Sequence, residues 1–177
     1  MGQDGDIDNT VYAVDKLMSE ARRLAADYRR TTGQSLGLSA EIARHDACTL
    51  LGLKPEQGQS GAGFDAIGQG TRAGKRIQIK GRAIFDESKR SPRIGQLKME
   101  REWDSVVLVL MNADFETDAM YEADKQDIID AMSEQDKGQR NKRGAMSVAR
   151  FKNVARLVWT REEGAIDDEL WDNQTGL

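Results

Sequence analysis

Val106-Val107-Leu108-Val109-Leu110 is an almost continuous apolar run. Successive side chains of a strand point to opposite faces, so a run that is apolar at every position leaves no face for water. It fits a central strand covered on both sides. The surrounding 177 residues are enough for one domain with its own core and no staples. Aromatic residues make up only 6%, so that core is expected to be aliphatic and alanine-rich.

The same inventory removes several kinds of chemistry. One cysteine, Cys48, excludes an internal disulfide and a Cys-rich zinc site, and one histidine, His45, removes multi-histidine metal centres. That single histidine also leaves little room for a Ser-His-Asp arrangement. No window approaches the roughly 18 apolar residues needed to span a bilayer. The N-terminus lacks a basic segment followed by an apolar one, and Asp6 stands where myristoylation needs Ser or Thr. The expectation is a cytoplasmic protein with no membrane partner.

Periodicity divides the chain. Val11, Val14, Met18, Ala21, Ala25 and Tyr28 recur at helical spacing, predicting a helix from Asp8 to Arg30 that Gly33 ends, with this stripe on the core. Ser39 reads as the N-cap of a second helix running to Gly52. The glycine-rich stretch from Gly58 to Gly63 reads as a loop. Two short strands follow, joined by a turn around Gly68, Gly70 and Gly74. A short helix is expected near Gln96 to Trp103, a strand over Ala119 to Ala123, and a helix from Lys125 to Glu134 with Ile128, Ile129 and Met132 inward. Lys137 to Arg143 reads as a basic loop. Ser147 to Trp159 suits a helix or a strand, and the acidic tail after Glu162 is expected to fray.

Net charge is −4, yet the charges are sorted. Nine Lys or Arg and two acids lie between Ala66 and Lys98, and seven basic residues with no acid lie from Lys137 to Thr160. A basic face on an acidic body suits local contact with phosphates. The candidates for holding nucleic-acid backbone are Arg72, Lys75, Arg76, Arg82 and Arg93, then Arg140, Lys142, Arg143 and Lys152. Solvated faces without a partner are the plain alternative.

The most chemical pattern lies in the first basic stretch. On a strand from Arg76 to Arg82, Ile77 and Ile79 point one way and Arg76, Gln78, Lys80 and Arg82 the other. The glycine turn would return Asp65 beside Gln78, and Glu41 on the preceding helix can reach the same place if that helix packs on the hairpin. The alternative is Asp65 as a turn former, with Gln78 and Lys80 as exposed strand positions. Glu41 on a helix, Asp65 on a strand and Gln78-Ile79-Lys80 on its neighbour resemble the PD-(D/E)xK nuclease superfamily, whose fold is restriction-endonuclease-like. The resemblance covers Ser39 to Met111. Phe64 stands where the proline would be, and Gln78 replaces the usual Asp or Glu, as in a subset that includes Mrr-like restriction proteins.

The resemblance implies an α/β fold: a mixed sheet flanked by helices over residues 37–136, with an added N-terminal helix over 1–36. A basic segment and acidic tail of the same domain occupy 137–177. It implies a metal-dependent DNA endonuclease with a restriction or defence role. Asp65 and Gln78 would be Mg²⁺ ligands (Mn²⁺ substituting), helped by the Ile79 carbonyl and by Glu41. Lys80 would position the attacking water or stabilise the transition state. Two rivals share these residues: an inactive nucleic-acid- or partner-binding module, and a nuclease for RNA or branched DNA. Two-strand cleavage would favour a homodimer, with the N-terminal helix as its interface.

Other patterns carry less. Gly68-Gln69-Gly70-Thr71-Arg72-Ala73 matches a dinucleotide-binding turn, but a strand and not a helix is expected after it. Gly68 to Lys75 is one residue too long for a phosphate-binding P-loop, and Arg76 takes the place of its Ser or Thr. His45 reads as a surface or helix-packing residue, Cys48 as a small buried hydrophobe, and Asn173-Gln174-Thr175 as an idle glycosylation sequon.

Overall fold

The computed structural model describes residues 7–57, 63–86, 88, 92–134 and 146–166. Seven strands form one sheet in chain order: β1 (Lys54–Pro55), β2 (Ala66–Ile67), β3 (Arg76–Ala83), β4 (Ser105–Met111), β5 (Thr117–Asp124), β6 (Arg156–Thr160) and β7 (Gly164–Ala165). Neighbours are antiparallel except β3 and β4, which run parallel. The helices are α1 (Ile7–Thr32), α2 (Ser39–Leu51), α3 (Lys125–Ser133) and α4 (Val148–Val154).

The apolar run is the middle of β4, and it is buried at every position. Its side chains divide between two cores. Val107, Val109 and Met111 join Ile77 and Ile79 under Ala25 and Ala26 of α1 and Ile42, Ala43 and Ala47 of α2. Val106, Leu108 and Leu110 face Ile128 of α3 and Val148 and Phe151 of α4. The result is a mixed α/β sheet covered by helices on both faces, as the run required.

Parallel neighbours need a crossover, and residues 84–104 supply it without a helix among the described residues. The helix expected from Gln96 to Trp103 is replaced by irregular chain. Leu97 and Trp103 are buried there as separate anchors with no helical period between them. The indole Nε1 of Trp103 donates to the Lys98 carbonyl at 2.7 Å, which fixes the bend.

The α1 stripe is only partly inward. Ala25 is buried, but Val14 is 41% exposed, with Leu17 and Leu24 still more open on the outer side. What seats the helix is polar. Arg22 forks onto Asp46 at 2.8 and 3.0 Å, and Asp46 also accepts from the Thr117 hydroxyl at 2.6 Å. Arg29 lies 3.4 Å from the centre of the Phe85 ring, and His45 faces Asp15 at 3.2 Å, joining α2 to α1. Two alanines, Ala25 of the stripe and Ala26 beside it, let the backbone approach closely enough for these contacts, so the packed face overlaps the stripe only from Met18 onward.

Helix α2 begins one residue earlier than expected. Ser39 is its first residue, Leu38 precedes it without a side-chain cap, and Gly52 ends it in the left-handed conformation at φ 62°. In α3, Ile128 is buried whereas Ile129 is 37% exposed, which corrects its inward assignment. The ambiguous stretch after Ser147 is both things in turn, α4 and then β6, and Ser147 caps α4 by accepting from the Arg150 amide at 3.2 Å. Residues 164–166 pair with β6 and so extend order past Glu162. The basic loop Lys137 to Arg143 and the tail beyond residue 166 lie outside the described residues, as do residues 58–62 of the glycine-rich loop and the sequon. No helix among the described residues is long and apolar enough to cross a membrane.

Candidate active-site cleft

The β2–β3 hairpin does the positioning. Its register pairs Ala66 with Ile77 and Ile67 with Arg76, and a 3-10 turn at Gly70–Arg72 closes it. The Gly68 amide donates to the Lys75 carbonyl at 2.8 Å. A Cβ on Gly68 would stand 2.2 Å from the Arg72 carbonyl oxygen, so the turn admits glycine alone there. Asp65, just before β2, accepts at Oδ2 from the Ile79 amide at 2.8 Å, and its carboxylate is thereby fixed to β3.

Parallel register with β4 sets the faces of β3. Gln78, Lys80 and Arg82 stand beside Val106, Leu108 and Leu110, away from Ile77 and Ile79. The alternation read from the sequence therefore holds, except that Gln78 is buried at 2% exposure instead of lying on a solvated face. Asp65, Gln78, Ile79, Lys80 and Arg82 line one cleft of about 430 Å³. Three of the four expected catalytic side chains, Asp65, Gln78 and Lys80, therefore meet.

Glu41 does not join them. Its carboxylate is 59% exposed, accepts from Arg44 at 2.5 Å, and lines a neighbouring hollow with His45 and Cys48. Arg44, one turn further along α2, lines both the cleft and that hollow and pairs with Glu41 there, and Glu56 also borders both. Two further charged residues that the sequence did not single out also line the cleft: Glu56 and Lys98. Lys98 belongs to the basic stretch already counted. Glu56 had no signal, because its place depends on a two-residue edge strand.

Two features of the cleft are chemically unusual. The Nε2 of Gln78 is buried and has no hydrogen-bond partner, although buried polar atoms are nearly always paired. A half-turn of the amide exchanges its donor and acceptor ends, so this position offers the cleft either one. Lys80 is held below the usual lysine range, chiefly by burial, with Asp65 opposing and Lys98 and Arg82 reinforcing the fall. Its chain passes Gly95 of the crossover, where a Cβ would come 3.9 Å from the amine.

The expected backbone-binding cations separate into groups. Arg72 donates to the buried carboxylate of Glu122 at 2.7 Å, Lys75 meets Asp124 at 3.3 Å, and Arg76 is held by Asp104 at 3.1 Å and Glu102 at 3.0 Å. These three brace the hairpin against the rest of the sheet, so each candidate for phosphate contact already has an acidic partner. Arg82 faces the cleft and donates to the Arg93 carbonyl, and Arg93 bridges to Ser147. Lys152 sits 5.3 Å from the Tyr121 ring centre, in a hollow separate from the cleft. Arg140, Lys142 and Arg143 lie outside the described residues. Among the described residues, the cations that line the cleft are Arg44, Lys80, Arg82 and Lys98.

Among the described residues no group of three or more Asp, Glu, His or Cys side chains is gathered as a metal site. Cys48 is only half-buried, and burial pushes its thiol up to about 11, which suits packing and not nucleophilic chemistry. No family model matches the chain, and no curated protein matches its sequence. The fold and the cleft are those of a mixed α/β domain with an acid, an amide and a half-buried lysine at the end of a β-hairpin.

Proposed function

We propose that this protein is a cation-dependent phosphodiester hydrolase of the restriction-endonuclease-like type, acting on duplex DNA. The observation that carries this reading is the convergence of Asp65, Gln78 and Lys80 in one cleft with the basic side chains of Arg44, Arg82 and Lys98. Asp65, the Gln78 amide oxygen and the Ile79 carbonyl would hold Mg²⁺ or Mn²⁺. The fit is chemical: all three are hard oxygen donors, and Mg²⁺ is typically held by one or two carboxylates while keeping several waters. The buried, unpartnered Gln78 amide agrees with a cleft that takes a polar ligand. When bound, such an ion polarises a water toward attack and offsets phosphate charge.

The chain's own groups supply the rest. Arg44, Arg82 and Lys98 attract the phosphate backbone and set its register against Asp65. Lys80 is partly withdrawn from water, so its charge acts through a lower effective dielectric on the negative charge that grows as the phosphorus centre is attacked. The Ile79 amide keeps the Asp65 carboxylate in one orientation.

Supercoiled plasmid incubated with Mg²⁺ or Mn²⁺ tests the proposal. Nicking or linearisation by the parent, lost with chelator and in Asp65→Asn, is the expected result. Cleavage that survives chelation or the Asp65→Asn substitution overturns it. The neutral Gln78 and the absence of a three-acid group among the described residues favour one rival, a binding module without turnover. That rival gives a gel shift and intact plasmid under every cation. Competition between duplex, single-stranded, branched and RNA substrates separates the remaining nuclease class.

A further inference from the structure

We propose that Glu56 is the second carboxylate of the cation site, in the place that Glu41 does not reach and that Gln78 fills without charge. The inference rests on the cation-dependent reading above and deepens it.

Strand β1 is only Lys54–Pro55, but its pairing continues one step beyond the strand. Register matches Lys54 with Ile67 and Pro55 with Ala66, which makes Glu56 and Asp65 the next pair, and the Glu56 amide donates to the Asp65 carbonyl at 2.9 Å. Residues opposite one another across antiparallel strands share a face. Both line the same cleft, and so does Gln78 on the next strand. Edge strand, hairpin strand and β3 thus place Glu56, Asp65 and Gln78 at matching register positions along the cleft wall, with Glu56 at its border with the neighbouring hollow.

Two like charges directly across a strand pair repel and destabilise it unless something positive lies between or beside them. Asp65 has Lys80 as an electrostatic neighbour. No ion pair or side-chain hydrogen bond engages the Glu56 carboxylate among the described residues. The separate sign of a ligand is the Gln78 side-chain amide, buried in this cleft with its Nε2 unpartnered; a half-turn of the amide puts its oxygen at that place, where a cation can take it. Asp65, Glu56 and the amide of Gln78 form an oxygen-donor set with two negative charges, within the one or two carboxylates Mg²⁺ usually takes. By contrast Glu41 is already neutralised by Arg44 on its own helix.

Calorimetric titration of Mn²⁺ into the metal-free full chain tests this without reference to activity. Parent, Asp65→Asn, Glu56→Gln and Glu41→Gln are compared, each checked for folding by circular dichroism, with Glu56→Ala replacing Glu56→Gln if the latter unfolds. The expected result is an affinity loss of about tenfold or more for both Asp65→Asn and Glu56→Gln, and a change of less than about twofold for Glu41→Gln. If Asp65→Asn weakens binding and Glu56→Gln does not, Glu56 is not a ligand, and the reading of the cleft stands. If Asp65→Asn binds Mn²⁺ as the parent does, the cation-dependent reading falls together with the inference.

Discussion

Lys80 is the side chain on which stability and the proposed chemistry pull in opposite directions. Burial lowers its proton affinity below that of a free lysine, so the folded state holds this ammonium at a cost. The sign of the linkage follows. Between the depressed folded value and the ordinary one near about 10.4, the unfolded chain binds more protons, and stability rises with pH through that window. Lys80→Met removes both the cost and the slope. The variant is expected to melt no lower than the parent at pH 7 and to cleave at least about 100-fold more slowly, the scale of a lost transition-state contact. Thermal melts across pH 7 to 10 and single-turnover cleavage check the two halves. A destabilised variant with normal cleavage would make Lys80 a structural residue.

At the scale of elements, the cleft exists because α2 lies close on β3. The contact is at Gly81, where a Cβ would stand 2.5 Å from the Ala43 Cβ and 2.8 Å from the Ser39 carbonyl oxygen. Backbone cannot yield cheaply at that spacing. Gly81→Ala is therefore expected to cost about 1–3 kcal/mol in urea denaturation, the usual range for overpacking, as α2 is pushed off the strand. A change under about 0.5 kcal/mol would show that the helix slides freely. The hairpin was legible in the sequence because its signals are local: isoleucine alternation in β3, glycines in the turn, and Asp65 just before β2. Arg44 and Glu56 were not. Arg44 lines the cleft from a place on α2 that spacing permits for either it or Glu41, and Glu56 enters the cleft through a pairing only two residues long. The missing helix at Gln96 to Trp103 has the same origin, since its anchors are fixed by the sheet they plug and not by any period of their own. Basic residues near the site were legible as a group but not individually. Arg72, Lys75 and Arg76 turned out to be held by Glu122, Asp124, Asp104 and Glu102, which are distant in sequence.

For the whole molecule, the unbroken apolar run in β4 dictated the architecture, because a strand with no polar face requires cover on both sides. The helices divide accordingly, α1 and α2 on one face, α3 and α4 on the other. The cleft opens at the β1–β2–β3 end of the sheet, where short strands leave side chains uncovered. A net charge of −4 is compatible with a phosphate-facing surface there, since cations gather at this end while Glu122, Asp124 and Asp104 lie on partners that brace it. Under the proposed function, this one cleft holds the cation. Anomalous diffraction from crystals soaked in Mn²⁺ tests it most directly. A manganese peak inside the cleft, within coordinating distance of Asp65 and the Gln78 side chain, is the expected result. A peak elsewhere, or an empty cleft in crystals of protein that binds Mn²⁺ in solution, would contradict it.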